Sequence, residues 1–214
     1  GAGMDSPFMA TVAAGIAKAA KLRVARFEFP YMRERRPDGR TRPPDPMPRL
    51  QASFRKAMVD LRASEPIERL AIGGKSLGGR VASLIADELH AERTIDALVC
   101  LGYPFHPPNH AKLRTEHLVE LSIPTLVVQG DRDPFGTSEE VPLYALSRAI
   151  QIEWLGDGDH SWKPRKKSGR SEEQNLREGV EWIASFLRDL PRPKPRMMRQ
   201  SGENGGEGET DDLD

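Results

Sequence analysis

Cysteine is almost absent: Cys100 is the only one in 214 residues. A lone thiol builds neither a disulfide framework nor a cysteine-based metal site, so a hydrophobic core must hold the fold. Cys100 falls inside the apolar stretch 95–101, where a thiol acts as a small buried hydrophobe. No run approaches the roughly 18 apolar residues that a membrane-spanning helix needs. Neither sign of charge is in excess, with 32 Lys and Arg against 32 Asp and Glu. That balance leaves no overall basic field to draw in nucleic acid. The length suits one sizeable core, and together these features lead us to expect one cytoplasmic domain.

The most informative residues present are Gly74-Lys75-Ser76-Leu77-Gly78. They follow an apolar stretch at 67–72 and precede Val81, Leu84, Ile85 and Leu89, which recur at helical spacing. Strand, sharp turn and helix would lift the Ser76 hydroxyl above a sheet edge at a helix N-terminus. Gly74 and Gly78 are expected to be small because so tight a turn crowds the positions two before and two after the serine. A plain flexible turn is the bland alternative. A phosphate-binding loop would need glycine five residues before Gly74, and Arg69 stands there.

A serine hydroxyl needs a base, and the base needs a carboxylate to fix its tautomer. In a strand-turn-helix site of this type the chain order is serine, acid, histidine. Pro124-Thr125-Leu126-Val127-Val128-Gln129 reads as a strand, and Gly130-Asp131-Arg132-Asp133-Pro134 follows it. Asp133 is the preferred acid because a residue before proline is held extended. Asp131 remains an alternative, or a turn cap. The alternating stretch 149–155 leads into Gly156-Asp157-Gly158-Asp159-His160, which offers His160 as the base. His90, His106, His110 and His117 are better read as capping or surface residues. In this scheme Ser76 attacks an acyl carbonyl, His160 moves the proton, Asp133 orients His160, and the Leu77 N–H is one oxyanion donor.

The order of elements supports that placement. Strands are expected at 22–29, 67–72, 95–101, 125–129 and 150–155. Helical stripes fall at Phe8, Val12, Ile16 and Ala20, at Leu50, Phe54, Met58 and Leu61, and at Leu176, Val180, Ile183 and Leu187. Alternating strands and helices give a parallel sheet covered on both faces, with ligands at the carboxyl ends of its strands. Residues 31–48 and 103–112 read as loops that could shape a pocket, or as plain connections. Arg165, Lys166, Lys167 and Arg170 form a solvated face, or more sharply an anion patch. Residues 191–214, first basic and proline-rich and then acidic and glycine-rich, are expected to be a disordered tail after a domain at 1–190.

Several stretches carry a resemblance: Gly1-Ala2-Gly3-Met4-Asp5-Ser6-Pro7, Gly73-Gly74-Lys75-Ser76-Leu77-Gly78-Gly79-Arg80, Gly102-Tyr103-Pro104-Phe105-His106, Gln129-Gly130-Asp131-Arg132-Asp133-Pro134 and Gly158-Asp159-His160. With them the chain resembles the α/β-hydrolases, and more narrowly the small dienelactone-hydrolase-like family that includes the testis-expressed hydrolase-like protein. The resemblance implies an α/β-hydrolase fold with Ser76, Asp133 and His160 as its triad. It also implies that strands preceding Gly1 in related proteins, one of them beside the serine strand and carrying the second oxyanion donor, are missing from this chain. A hydrolase of esters, thioesters or lactones, with a small acyl substrate and no cofactor, is the leading reading. A non-catalytic hydrolase-fold interaction module is the alternative.

Overall fold

The computed structural model describes residues 3–37, 39–40, 42–110 and 112–191. The tail expected at 191–214 therefore lies, except for Pro191, outside the described residues. The elements in chain order are α1 (Pro7–Ala20), α2 (Pro30–Arg33), α3 (Met47–Ser64), β1 (Ala71–Lys75), α4 (Leu77–Ala91), β2 (Ala97–Leu101), β3 (Thr125–Gly130), β4 (Ile150–Leu155) and α5 (Glu172–Asp189). The four strands form one parallel sheet in the order β1-β2-β3-β4. The outer edge of β1 has no strand partner among the described residues.

Every residue of β2 and β3 is buried, as expected of parallel strands covered on both faces. The pleat sends alternate side chains to opposite sides. Leu98, Cys100 and Val127 join Leu50, Phe54, Met58, Val81, Ile85 and Leu89, beneath α3 and α4. Val99, Leu101, Leu126 and Val128 join Val12, Trp162, Val180 and Ile183, beneath α1 and α5. The helical stripes read from the sequence thus face the core, except that Leu61 and Leu84 are half-buried and join neither cluster. The ends are set by local chemistry. Ser171 and Gln174 form a reciprocal capping box on α5, and the Ser6 hydroxyl accepts the Met9 N–H at 3.4 Å on α1.

One expected strand is not formed. Residues 22–29 join no ladder, and Leu22, Val24 and Phe27 remain exposed. The segment is held from its sides instead. Phe27 packs edge-on against Phe54 at 4.9 Å, Arg26 donates to the Met4 carbonyl at 2.6 Å, and buried Glu28 accepts from Arg36 at 2.7 Å. Alternating polarity marks a half-buried extended segment, but a strand also requires a neighbour. The serine strand starts later than expected, at Ala71, because the Asp96 carboxylate takes the Leu70 N–H at 2.8 Å before the ladder begins. Residues 31–48, read as a loop, contain α2 and the start of α3, with Tyr31 buried in the core.

Candidate active site

Ser76 stands between β1 and α4 with φ 54° and ψ −117°. A side chain at positive φ costs on the order of 1–3 kcal/mol and persists only where the surroundings impose it. Here the Ser76 N–H donates to the Leu101 carbonyl at 3.0 Å, and the Arg80 N–H donates to the Ser76 carbonyl at 3.1 Å. The turn's tightness is set by Gly74 and Gly79. A Cβ on Gly74 would lie 2.5 Å from the Gly78 carbonyl carbon, and one on Gly79 would lie 2.8 Å from the Gly74 oxygen. The sequence alone points to Gly78 as the second crowded position. A Cβ there meets nothing within 4 Å among the described residues. Gly78→Ala is therefore expected to raise stability by about 0.4–1 kcal/mol, by reducing the conformational freedom of the unfolded chain. Gly79→Ala is expected to lower it by about 1–3 kcal/mol through overpacking. Urea midpoints of the two variants check this contrast.

The acid and the base arrive from the next two strand ends on the far side of β2. Asp133, fully buried, follows β3, and His160 follows β4. The His160 ring bridges them: Nδ1 lies 2.7 Å from Asp133 Oδ2, and Nε2 lies 2.8 Å from Ser76 Oγ. A carboxylate can only accept, so the proton sits on Nδ1 and Nε2 is left to accept the serine O–H. The second Asp133 oxygen accepts the Phe135 N–H at 2.9 Å. The Phe135 ring packs against the imidazole with centroids 4.4 Å apart. Leu77 begins α4, so its N–H is one of the first four that have no intrahelical acceptor.

Asp131 does not face His160. Its Oδ2 accepts the Asp157 N–H at 2.9 Å, tying the loop after β3 to the loop that carries His160. Arg132 reinforces that tie by donating to the Asp157 carbonyl at 2.7 Å, while Arg165 donates to the Asp157 carboxylate. The Arg165 guanidinium draws the Asp157 carboxyl down to about 2. A carboxyl depressed from its unfolded value of about 3.9 supports the fold above that pH and loses its contribution as pH falls toward 2. Asp157→Asn should accordingly flatten the pH dependence of the urea midpoint between pH 4 and pH 2. The basic cluster is partly committed in the same way. Arg165 serves Asp157, and Arg170 donates to Asn175 at 2.8 Å and to Glu178.

Gln129 belongs to the site although no sequence motif marks it. It is fully buried at the end of β3, and its Nε2 lies 2.9 Å from Asp133 Oδ2 and 3.1 Å from the Tyr103 carbonyl. Its Oε1 accepts the Tyr103 N–H at 2.6 Å. The available signal was an amide at the end of an otherwise apolar strand buried on both faces. Tyr103 and Phe105, read as residues that could line a pocket, are buried in the core instead. Three of the other four histidines make local contacts: His90 Nδ1 meets the Ile95 carbonyl at 3.0 Å, His106 Nδ1 the Pro107 carbonyl at 2.9 Å, and His117 Nε2 the Ser83 hydroxyl at 2.8 Å. His110 is exposed, as expected, whereas His106 is buried and not the surface or capping residue expected from the sequence. Burial pushes the Cys100 thiol up to about 12, in keeping with a structural thiol. Among the described residues no group of three or more His, Cys, Asp or Glu is placed to hold a metal ion. Among the same residues no helix is long and apolar enough to cross a membrane.

A serine on a strained strand-to-helix turn, with acid and histidine following later strands of one parallel sheet, is the layout of a known fold family, and residues 1–188 match the alpha/beta hydrolase domain. The chain belongs to the alpha/beta hydrolase family. Solved structures agree on the fold. An alpha-beta serine hydrolase homologue from Coxiella burnetii is similar with a TM-score of 0.62 at 16% identity, covering 86% of this chain and 78% of that one. A dienelactone hydrolase from Anabaena variabilis gives 0.59 at 19% identity, covering 89% and 82%. The esterase domain of a Rhodothermus marinus protein gives 0.56 at 17% identity, covering 84% and 80%.

Proposed function

We propose that the protein is a serine hydrolase that cleaves a carboxylic ester, thioester or lactone through an acyl-enzyme. The observation that carries this reading is the unbroken hydrogen-bonded line from Ser76 Oγ through His160 to Asp133, at 2.8 and 2.7 Å. Membership in a hydrolase family and the fold shared with an esterase domain and a dienelactone hydrolase support it.

The proposed reaction uses the residues of that line in turn. Ser76 Oγ attacks the acyl carbon while His160 Nε2 takes the hydroxyl proton. Charge gathers on the carbonyl oxygen, and the Leu77 N–H at the start of α4 is a donor for it. The C–O or C–S bond to the leaving group then breaks, and His160 returns the proton to that group. Water, deprotonated by His160, attacks the acyl-Ser76 ester; the acyl–Oγ bond breaks, His160 returns the proton to Ser76 Oγ, and the carboxylic acid leaves. Asp133 holds the ring and stabilises the imidazolium throughout. No cofactor enters the scheme. A small acyl substrate, no nucleic-acid or membrane partner and a cytoplasmic setting complete the proposal.

Hydrolysis of short-chain p-nitrophenyl esters and thioesters by the protein, beside Ser76→Ala, tests it. Turnover that disappears in the variant supports the reading. Turnover unchanged by Ser76→Ala would assign the chemistry elsewhere. Inactivity of the folded protein toward the whole series would favour an interaction module on this fold.

A further inference from the structure

Lys75 precedes Ser76 and is the only charged side chain of β1. Its chain does not run out to solvent. The ammonium donates to the main-chain carbonyl of His160 and lies 5.4 Å from the centre of the Phe8 ring, over its face. Gly102, at the end of β2, leaves room for this contact. A Cβ there would stand 2.8 Å from Lys75 Nζ, 3.0 Å from the His160 oxygen and 3.3 Å from His160 Nδ1. Gly102 also has φ 64°, which glycine adopts without strain.

Resting on the hydrolase reading above, we propose that Lys75 is a positioning residue that fixes the main chain of His160. Two consecutive residues of one turn then hold the base at both ends, Ser76 at the ring and Lys75 at the carbonyl. This hold on His160 comes from the residue next to Ser76 and does not run through Asp133. A rigid frame of this kind matters because a misplacement of about 1 Å can cost about 10²-fold in rate.

The electrostatics agree with a placed charge. Burial draws the Lys75 ammonium down to about 8, while Asp133 and Asp159, the carboxylates facing it from the loops after β3 and β4, act in the opposite direction. An apolar side chain of similar length would avoid that burial cost, but it could not donate to the carbonyl.

Lys75→Cys followed by alkylation tests the proposal. Cys100, buried and with a raised pKa, will not compete for the reagent. Lys75→Cys is expected to lower kcat on p-nitrophenyl esters about 10- to 100-fold, with KM held within about twofold. Bromoethylamine, which rebuilds a lysine-like ammonium at residue 75, should restore most of the rate. A neutral S-propyl adduct of similar bulk should not. The downfield proton resonance of His160 Nδ1 gives a readout that needs no turnover. It should be sharp in the wild type, broadened in Lys75→Cys and sharp again after aminoethylation. A resonance that tracks the ammonium in a protein that hydrolyses nothing would keep the positioning role and remove the hydrolase reading. Ser76-dependent hydrolysis indifferent to residue 75, equal rescue by the propyl adduct, or a resonance that is absent or unaffected would overturn the role of Lys75.

Discussion

Asp133→Asn is expected to lower kcat for Ser76-dependent ester hydrolysis by about 10⁴-fold, with little change in KM. The size follows from the tautomer. One Asp133 oxygen receives both His160 Nδ1–H and Gln129 Nε2–H, and the other receives the Phe135 N–H. An asparagine has a single oxygen to offer. Given to Phe135, it leaves an NH₂ facing His160, and the ring must move its proton to Nε2. A protonated Nε2 cannot take the proton of Ser76. Steady-state kinetics beside a circular-dichroism check of folding measure this. A variant within about tenfold of wild type would mean that Asp133 does not set the tautomer.

Gln129→Leu carries the second largest expected effect, and it acts on stability as well as rate. Leucine matches the size of the side chain but supplies neither donor nor acceptor. The Tyr103 N–H would lose its acceptor at 2.6 Å, and the Tyr103 carbonyl and Asp133 Oδ2 would each lose a donor. Gln129 and Asp133 are fully buried, so water cannot readily replace these bonds. The Tyr103 carbonyl still accepts the Phe105 N–H and Asp133 Oδ2 still meets His160, so the groups left unsatisfied are the Tyr103 N–H and the Gly136 carbonyl, which also loses its Gln129 donor at 3.2 Å. At about 1–3 kcal/mol for each, the total loss is about 2–6 kcal/mol. Asp133 would also lose one of the bonds that orient it, and kcat should fall about 10- to 100-fold in the molecules that remain folded. Urea unfolding and kinetics on the same preparation separate the two effects. Wild-type stability in Gln129→Leu would contradict the network described for this side chain.

How far the sequence could be read depended on whether a feature is local. Ser76, Asp133 and His160 were legible because each follows a short apolar strand and the chain order fits one site geometry. The helices at 7–20, 47–64 and 172–189 were legible because their apolar residues recur at helical spacing. The misread segment, 22–29, has the pattern of a strand, yet hydrogen bonding between strands is a property of two segments and is invisible in one. Counting two positions before and after Ser76 points to Gly74 and Gly78, whereas the second crowded position is Gly79. The crowding comes from the way α4 folds back over Gly74 and from Cys100 of the neighbouring strand, which no counting of positions reveals. Asp131 and Asp133 could be ranked only by the proline that follows Asp133. The structure separates them because Asp131 turns to the Asp157 N–H. Lys75 and Gln129 carry no sequence signal of their roles because each looks like the end of a strand. Their partners, the His160 carbonyl and the Tyr103 peptide, lie 85 and 26 residues away.

The central claim is that Ser76 is a nucleophile activated by His160. Reaction of the folded protein with a fluorophosphonate probe, followed by mapping of the modified peptide, tests it without any choice of substrate. The expected result is a single adduct on Ser76, absent in Ser76→Ala and formed far more slowly in His160→Ala. A folded protein that forms no adduct, or one modified at another residue with Ser76 untouched, would contradict the claim.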